Sequence, residues 1–168
     1  GEGDCEVIVC GETVLVIDGG ERERSATVID FLAERGIDTV DCYIATHPHS
    51  DHIGAAAGIL GGLNVKSVMM TAFSEINTPT TTTYERFLSA IENHGCEVVI
   101  PDPGASYTYG DLTLRVFAPL EETSNYNNMS IVCRLEYGKT SFLFTGDAEK
   151  ESEALMLSQG YDLHADVL

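Results

Sequence analysis

Apolar positions follow two rhythms along this chain. They open as two short runs, Glu6 to Val9 and Thr13 to Ile17, separated by Cys10-Gly11-Glu12, and this pattern predicts a β-hairpin. From Ser25 the spacing lengthens. Val28, Ile29, Phe31 and Leu32 mark one face of a helix that Ser25 can cap and Gly36 stops. The run Val40 to Ala45 predicts a buried strand, Ile53 to Leu60 a helix of small residues, and Val65 to Met70 a further strand. Tyr84, Phe87, Leu88 and Ile91 recur at helical spacing and end at Gly95. The threonine-rich stretch ahead of them, Thr78 to Thr83, reads as a loop with a threonine cap, and it borders the region of the metal cluster described below.

The second half is mostly strands: Glu97 to Ile100, Ser106 to Tyr109, Leu112 to Phe117, Ser130 to Tyr137 and Ser141 to Phe144. A last helix spans Glu149 to Leu157 and ends near Gly160. Strands partly alternating with helices and partly arranged in hairpins predict an α/β layered sandwich. Its length of 168 residues suits one domain over 1–168.

Composition narrows the partners. There are 27 acidic residues against 9 basic ones, a net charge of -18, and no run of Lys or Arg. A large polyanion would find no phosphate-neutralising patch, so nucleic acid is not an expected partner, whereas a small molecule or phosphoester is. No apolar stretch approaches the roughly 20 residues needed to span a bilayer. The five cysteines have no Cys-x-x-Cys spacing, and Cys42, Cys96 and Cys133 lie in or beside apolar strands, where buried free thiols are expected. Both a cytoplasmic and a secreted location fit.

The chemistry concentrates at His47-Pro48-His49-Ser50-Asp51-His52. Three of the chain's five histidines and an aspartate fall within six positions, on the turn leaving a buried strand. Singly, a His beside Pro is a turn residue and an Asp before a helix is a cap. Together they are a metal cluster, and neutral imidazoles with a carboxylate suit zinc, manganese or iron. Asp147 ends another apolar strand, beside Gly146, where it can serve as a ligand or as a cap for the following helix. Asp18 also ends an apolar strand, ahead of two glycines. It reads as a turn residue or as a carboxylate that braces the ligand loop.

The cluster, preceded by Val16-Ile17-Asp18-Gly19-Gly20 and followed by Phe144-Thr145-Gly146-Asp147, resembles the metallo-β-lactamase superfamily. Gly1-Glu2-Gly3-Asp4, Asn127-Asn128-Met129-Ser130 and Leu143 to Asp147 resemble one branch of it, the hydrolase domain of the DNA-uptake protein ComEC and its stand-alone relatives. The resemblance runs the length of the chain and implies a four-layer αββα sandwich. It implies two divalent ions, zinc first. His47 and His49 would hold one, Asp51 and His52 the other, and Asp147 would bridge both or bind the second. It also implies hydrolysis by a hydroxide held at the metals, with Asp51 as a catalytic residue.

The branch favours a phosphodiester. Other esters, thioesters or lactams use the same core, and a domain that binds metal without turnover is the rival from another class. Many relatives add a His between the cluster and the bridging Asp. Here only His94 falls in that interval, at a helix end where solvent is expected; Asn128 and Ser130 occupy that place instead, either as supporting residues of the first metal or as a loop that caps the next strand. Relatives also carry a strand before the Gly-x-Gly-Asp and a His-His segment after the final Asp-Val-Leu. On that comparison the chain reads as cut inside both boundaries. Weak or partial metal occupancy and open sheet edges able to pair with a second copy are therefore expected. His164, the only late His, lies ahead of the expected ligand position.

Overall fold

In the computed structural model, residues 3–168 are described; Gly1 and Glu2, which open the Gly-x-Gly-Asp segment, lie outside the described residues. The first half runs β1 (Cys5–Cys10), β2 (Thr13–Asp18), α1 (Ser25–Ala33), β3 (Thr39–Val40), β4 (Cys42–Ala45), α2 (Ser50–Ile53), α3 (Ala56–Gly62), β5 (Asn64–Val65), β6 (Ser67–Met70), α4 (Thr82–His94) and β7 (Glu97–Val99). The second half runs β8 (Ser106–Tyr109), β9 (Leu112–Ala118), β10 (Val132–Tyr137), β11 (Thr140–Phe144) and α5 (Lys150–Ser158).

One sheet has the order β1-β2-β4-β6-β7. The β1–β2 hairpin is antiparallel and turns through Gly11 at φ +60°, and the remaining pairs are parallel. Parallel neighbours need crossovers, and α1, α3 and α4 supply them. The other sheet, β11-β10-β9-β8, is antiparallel throughout.

Strand alternation builds the layers. On β2, Val14 and Val16 face the helices α1, α3 and α4, while Leu15 and Ile17 face the second sheet. On β4, Tyr43 and Ala45 take the helix side and Cys42 and Ile44 the sheet side. Leu112, Leu114, Val116, Cys133 and Leu135 answer from the second sheet, whose outer face packs Phe117 and Val132 against Met156 of α5. The result is four layers, helices–sheet–sheet–helix, as the family resemblance implied. Both faces of the first sheet are buried, so β2 and β4 read as continuous apolar runs. Truncating Leu15 or Ile44, both fully buried, would cost about 2–5 kcal/mol each.

Several boundaries differ from the sequence reading. The run Val40 to Ala45 breaks at Asp41, whose Oδ2 accepts the Val14 N–H at 2.8 Å and whose own N–H donates to Val14 O. That exchange ends the ladder, so β3 pairs with β5 in a separate two-stranded sheet, and Val65 to Met70 breaks at Lys66. The helix expected from Ile53 to Leu60 is two pieces, α2 and α3, and it begins early, at Ser50. On α1 only Val28 and Leu32 are buried, whereas Phe31 is 40% exposed beneath the Arg35 guanidinium. The α4 start follows expectation, with Thr81 Oγ1 accepting the Tyr84 N–H and Gly95 closing the helix at φ +73°.

Candidate metal centre

The chain leaves β4 at Ala45 and bends through His47 and Pro48 to His49, whose backbone is extended. His49 is the N-cap of α2, so Asp51 and His52 stand on its first turn rather than on the loop. Backbone bonds fix this short helix. Gly19 N–H donates to His52 O at 2.8 Å, Ala55 N–H to Gly20 O at 3.0 Å, and Asp4 N–H to Asp51 O at 3.2 Å. From the second sheet, β11 ends at Phe144 and the chain turns through Gly146, at φ +49°, to present Asp147. A Cβ at residue 146 would lie 3.0 Å from Ser130 Oγ and 3.1 Å from Thr46 Cβ, so only glycine lets the two loops approach this closely.

The two segments converge. His47, His52 and Asp147 each bring a donor atom within 4.8 Å of the others. Asp147 divides its carboxylate, with Oδ1 3.2 Å from His52 Nε2 and Oδ2 3.7 Å from His47 Nε2. His49 Nδ1 lies 3.1 Å from His47 Nε2, and Asp51 Oδ2 lies 4.0 Å from His52 Nε2. His47 and His52 are buried, whereas the Asp51 and Asp147 side chains are about one-third exposed and face the opening.

A dense layer stands behind these groups. Asp18, the last residue of β2, is 1% exposed and holds φ +56°, an unusual backbone for a non-glycine residue. Its carboxylate accepts the Thr46 N–H at 2.8 Å, the Thr46 hydroxyl, and His52 Nδ1 at 2.7 Å. The Thr46 hydroxyl donates to Asp18, so it can accept from His47 Nδ1 at 3.1 Å. Both histidines thereby carry Nδ1–H and turn Nε2 toward Asp147. Ser130, fully buried, accepts the Asp147 N–H on Oγ at 3.2 Å. Asn128 Oδ1 accepts the Glu149 N–H at 2.9 Å, so it holds the start of α5 rather than aiming at the histidines.

The electrostatics follow burial and charge. Burial, together with the neighbouring His52 and His49, pushes the His47 imidazole down to about 3, which keeps it neutral. Burial also lowers His52. The hydrogen bond and charge of Asp18, with Asp147 and Asp51, overcome that effect and raise it to about 9. Burial raises Asp18, against the hydrogen bonds from His52 and Thr46. A cation held here would take the place of the second His52 proton and leave the Nδ1–H hydrogen-bonded to Asp18.

The donor set fits a divalent ion. Tetrahedral donors about 2.0–2.2 Å from an ion lie about 3.3–3.6 Å apart. The His47–His49 and His52–Asp147 spacings, 3.1 and 3.2 Å, are close to that separation. Two other histidines lie outside the cluster. His94 is not solvated as the sequence implied; it is half-buried and meets the Val65 backbone at 3.0–3.2 Å. His164 is exposed, and its carbonyl accepts from Arg134.

Sequence reasoning reached the cluster, Asp147 and Asp18, but it missed Thr46. A threonine beside the cluster carries no periodic signal, and its role depends on Asp18, 28 positions away.

Comparison with known proteins agrees with this architecture. The sequence profile of the Metallo-beta-lactamase superfamily matches residues 2–167. ComE operon protein 3 of Bacillus subtilis (strain 168) is 32% identical over 142 residues, which is 84% of this chain and 18% of that protein. Among solved structures, the metallo-beta-lactamase fold protein YhfI from Bacillus subtilis superposes with a TM-score of 0.60 at 16% identity, over 85% of this chain and 54% of its own. Rm3 metallo-beta-lactamase gives 0.59 at 15%, over 83% and 54%. CmlA, a diiron beta-hydroxylase from Streptomyces venezuelae, gives 0.58 at 18%, over 86% and 28%. The chain thus spans about half the length of the first two structures and less than a fifth of the ComE protein. With its profile matched nearly end to end, the chain belongs to the metallo-beta-lactamase superfamily, with relatives of the ComE type.

Proposed function

We propose that this chain is a metal-dependent hydrolase of a phosphoester, in the first instance a phosphodiester. The observation that carries the reading is the division of the Asp147 carboxylate between His52 and His47, 3.2 and 3.7 Å away. A single carboxylate placed between two imidazoles supports a site for two ions. His47 and His49 with Asp147 Oδ2 would hold one, and His52 and Asp51 with Asp147 Oδ1 the other, zinc first by donor type. Such ions supply an activated water and neutralise charge on a phosphoryl or carbonyl oxygen.

The protein's own groups have distinct tasks in this reading. Asp51 makes no side-chain hydrogen bond to the fold among the described residues, and its carboxylate stands at the opening. It is placed to take a proton from water at the site. Asp18 holds the His52 Nδ1 proton, and through Thr46 it holds His47 in the same Nδ1–H tautomer. Ser130 fixes the Asp147 backbone, so the bridging carboxylate is pre-aimed.

The phosphoester choice rests on the ComE-type resemblance and on the hard carboxylate donors. Hydrolysis of a lactam or thioester is the second reading, favoured by fold neighbours such as Rm3 metallo-beta-lactamase. The test is to load the protein with Zn2+ or Mn2+, count ions by elemental analysis, and assay bis(p-nitrophenyl) phosphate beside a chromogenic β-lactam and a thioester. Phosphodiester turnover that needs metal and vanishes in Asp51→Ala is the expected result. Turnover confined to the lactam or thioester selects the second reading. Bound metal with no turnover of any of the three makes this a binding domain.

A further inference from the structure

The three histidines of the cluster are not braced alike. His52 Nδ1 is held by Asp18 at 2.7 Å and His47 Nδ1 by Thr46 Oγ1 at 3.1 Å. His49 presents Nδ1 toward His47 Nε2, and among the described residues its Nε2 makes no hydrogen bond. A metal-binding imidazole ordinarily has its second nitrogen tied to a carboxylate, carbonyl or water, which fixes the ring direction. His49 has a different neighbour. The Tyr126 ring stands edge-on to it, with centroids 6.1 Å apart and planes at 73°.

Tyr126 is itself anchored on several sides. Its hydroxyl donates to Asn77 O at 3.0 Å, and its ring stands edge-on to Phe73 at 5.6 Å and 82°. Phe73 in turn stands edge-on to Tyr84 of α4 at 5.8 Å. The turn that carries Tyr126 is tied to the Asp147 segment by Asn125 and Asn127, whose amides both donate to the Glu149 carboxylate at 2.9 Å. The loop carrying Phe73 and Asn77 is tied to the same turn, with Thr71 Oγ1 donating to Met129 O at 3.1 Å.

We propose that Tyr126 is a positioning residue for His49: packing of its ring against the imidazole sets the direction in which His49 presents Nδ1 to the metal centre. The inference rests on the metal-centre reading above but not on any substrate. Tyr126 reaches the centre only through His49. Its hydroxyl is occupied by Asn77, so the ring is the active part and the hydroxyl serves as an anchor.

The experiment compares wild type, Tyr126→Phe and Tyr126→Leu. Zn2+ affinity is read by competition with a chromophoric chelator, and ligand geometry by the visible absorption of the Co2+-loaded protein. Tyr126→Leu should bind Zn2+ about 10-fold more weakly, at the lower end of the losses seen when support behind a ligand is removed. Its Co2+ bands should shift. Tyr126→Phe keeps the ring and should stay within about threefold of wild type on the same scale.

Unchanged affinity and an unchanged Co2+ spectrum in a folded Tyr126→Leu protein overturn the inference alone. A wild type that binds no Zn2+ overturns the metal centre and this inference together. If Tyr126→Leu does not fold, the wild-type protein decides by NMR. Cross-relaxation between the His49 and Tyr126 ring protons, in both metal-free and Zn2+-loaded states, is expected, and its absence in both overturns the proposal.

Discussion

Asp18 and His52, 34 positions apart in sequence, meet Oδ2 to Nδ1 at 2.7 Å with both side chains sealed from solvent. The same carboxylate receives the backbone and the hydroxyl of Thr46, so one buried acid orients the loop and, through it, two histidines. Asp18→Ala should weaken Zn2+ binding about 10- to 100-fold. It should also cost about 1–3 kcal/mol of stability, because the buried Thr46 N–H loses its acceptor. Asp18→Asn keeps an acceptor and tolerates the positive φ, so it should recover much of the stability but little of the affinity. Calorimetric Zn2+ titrations and thermal melts of the metal-free proteins check both. Equal affinity in wild type and Asp18→Ala would remove the bracing role.

Gly146 tests the approach of the two loops. Gly146→Ala combines a left-handed φ, which costs roughly 1–2 kcal/mol for an L-residue, with a Cβ pressed on Ser130 and Thr46. Gly138, at φ +60° with open space around a Cβ, supplies the comparison. Both substitutions should lower the melting temperature. Only Gly146→Ala should also lower Zn2+ affinity, because only there does the added carbon push Asp147 away from the histidines. Matching losses of affinity in the two variants would show that the close approach is irrelevant to the site.

Glu6 gives the fold a pH dependence that can be isolated. It shares a cavity of about 150 Å3 with Asp4 and Asp18, between the ends of the two sheets. Burial, then Asp18 and Asp4, raise its carboxyl from 4.5 to about 7. An acid with a raised pKa binds more protons when folded, so its contribution to stability is present below about 4.5 and is lost as pH rises to about 7. Glu6→Gln cannot ionise. Variant and wild type should be similar near pH 4.5, and the variant should gain progressively up to pH 7, by about 1 kcal/mol once screening at this half-exposed site is allowed for. Denaturant melts of the two proteins across that range measure the difference directly. A constant difference would mean that Glu6 titrates normally.

These residues also mark what sequence could and could not disclose. The cluster and Asp147 were legible because each follows an apolar strand, and strand ends in a layered sandwich bring such groups to one rim. The division of Val40 to Ala45 was not legible. It depends on Asp41 reaching Val14, 27 positions away, and an apolar run does not reveal which of two sheets each part joins. Tyr126 looked like one more aromatic in a loop. Its relation to His49 comes from a turn held at both ends by side-chain bonds, and periodicity does not record those.

The size of the substrate is the last point open to measurement. The site presents acids to solvent, with Asp51 and Asp147 at the opening and Glu122 and Glu149 on the flanking segments. Lys150, the cation nearest Asp147 in sequence, is 88% exposed and lies 3.6 Å from Glu151. Lys66 and Arg134 are likewise paired, with Asp41 and Glu136. Duplex DNA gains affinity by trading condensed counterions for Lys and Arg, and a protein of net charge -18 with these cations engaged offers little to trade. Fluorescence anisotropy with a labelled duplex at physiological salt should therefore show only weak binding, with a small dependence of the binding constant on salt. A small phosphodiester carries one charge, which metal ions held by the proposed centre would neutralise, so its turnover is compatible with this field. Tight, strongly salt-sensitive duplex binding would contradict the charge argument and make a nucleic-acid strand the leading substrate.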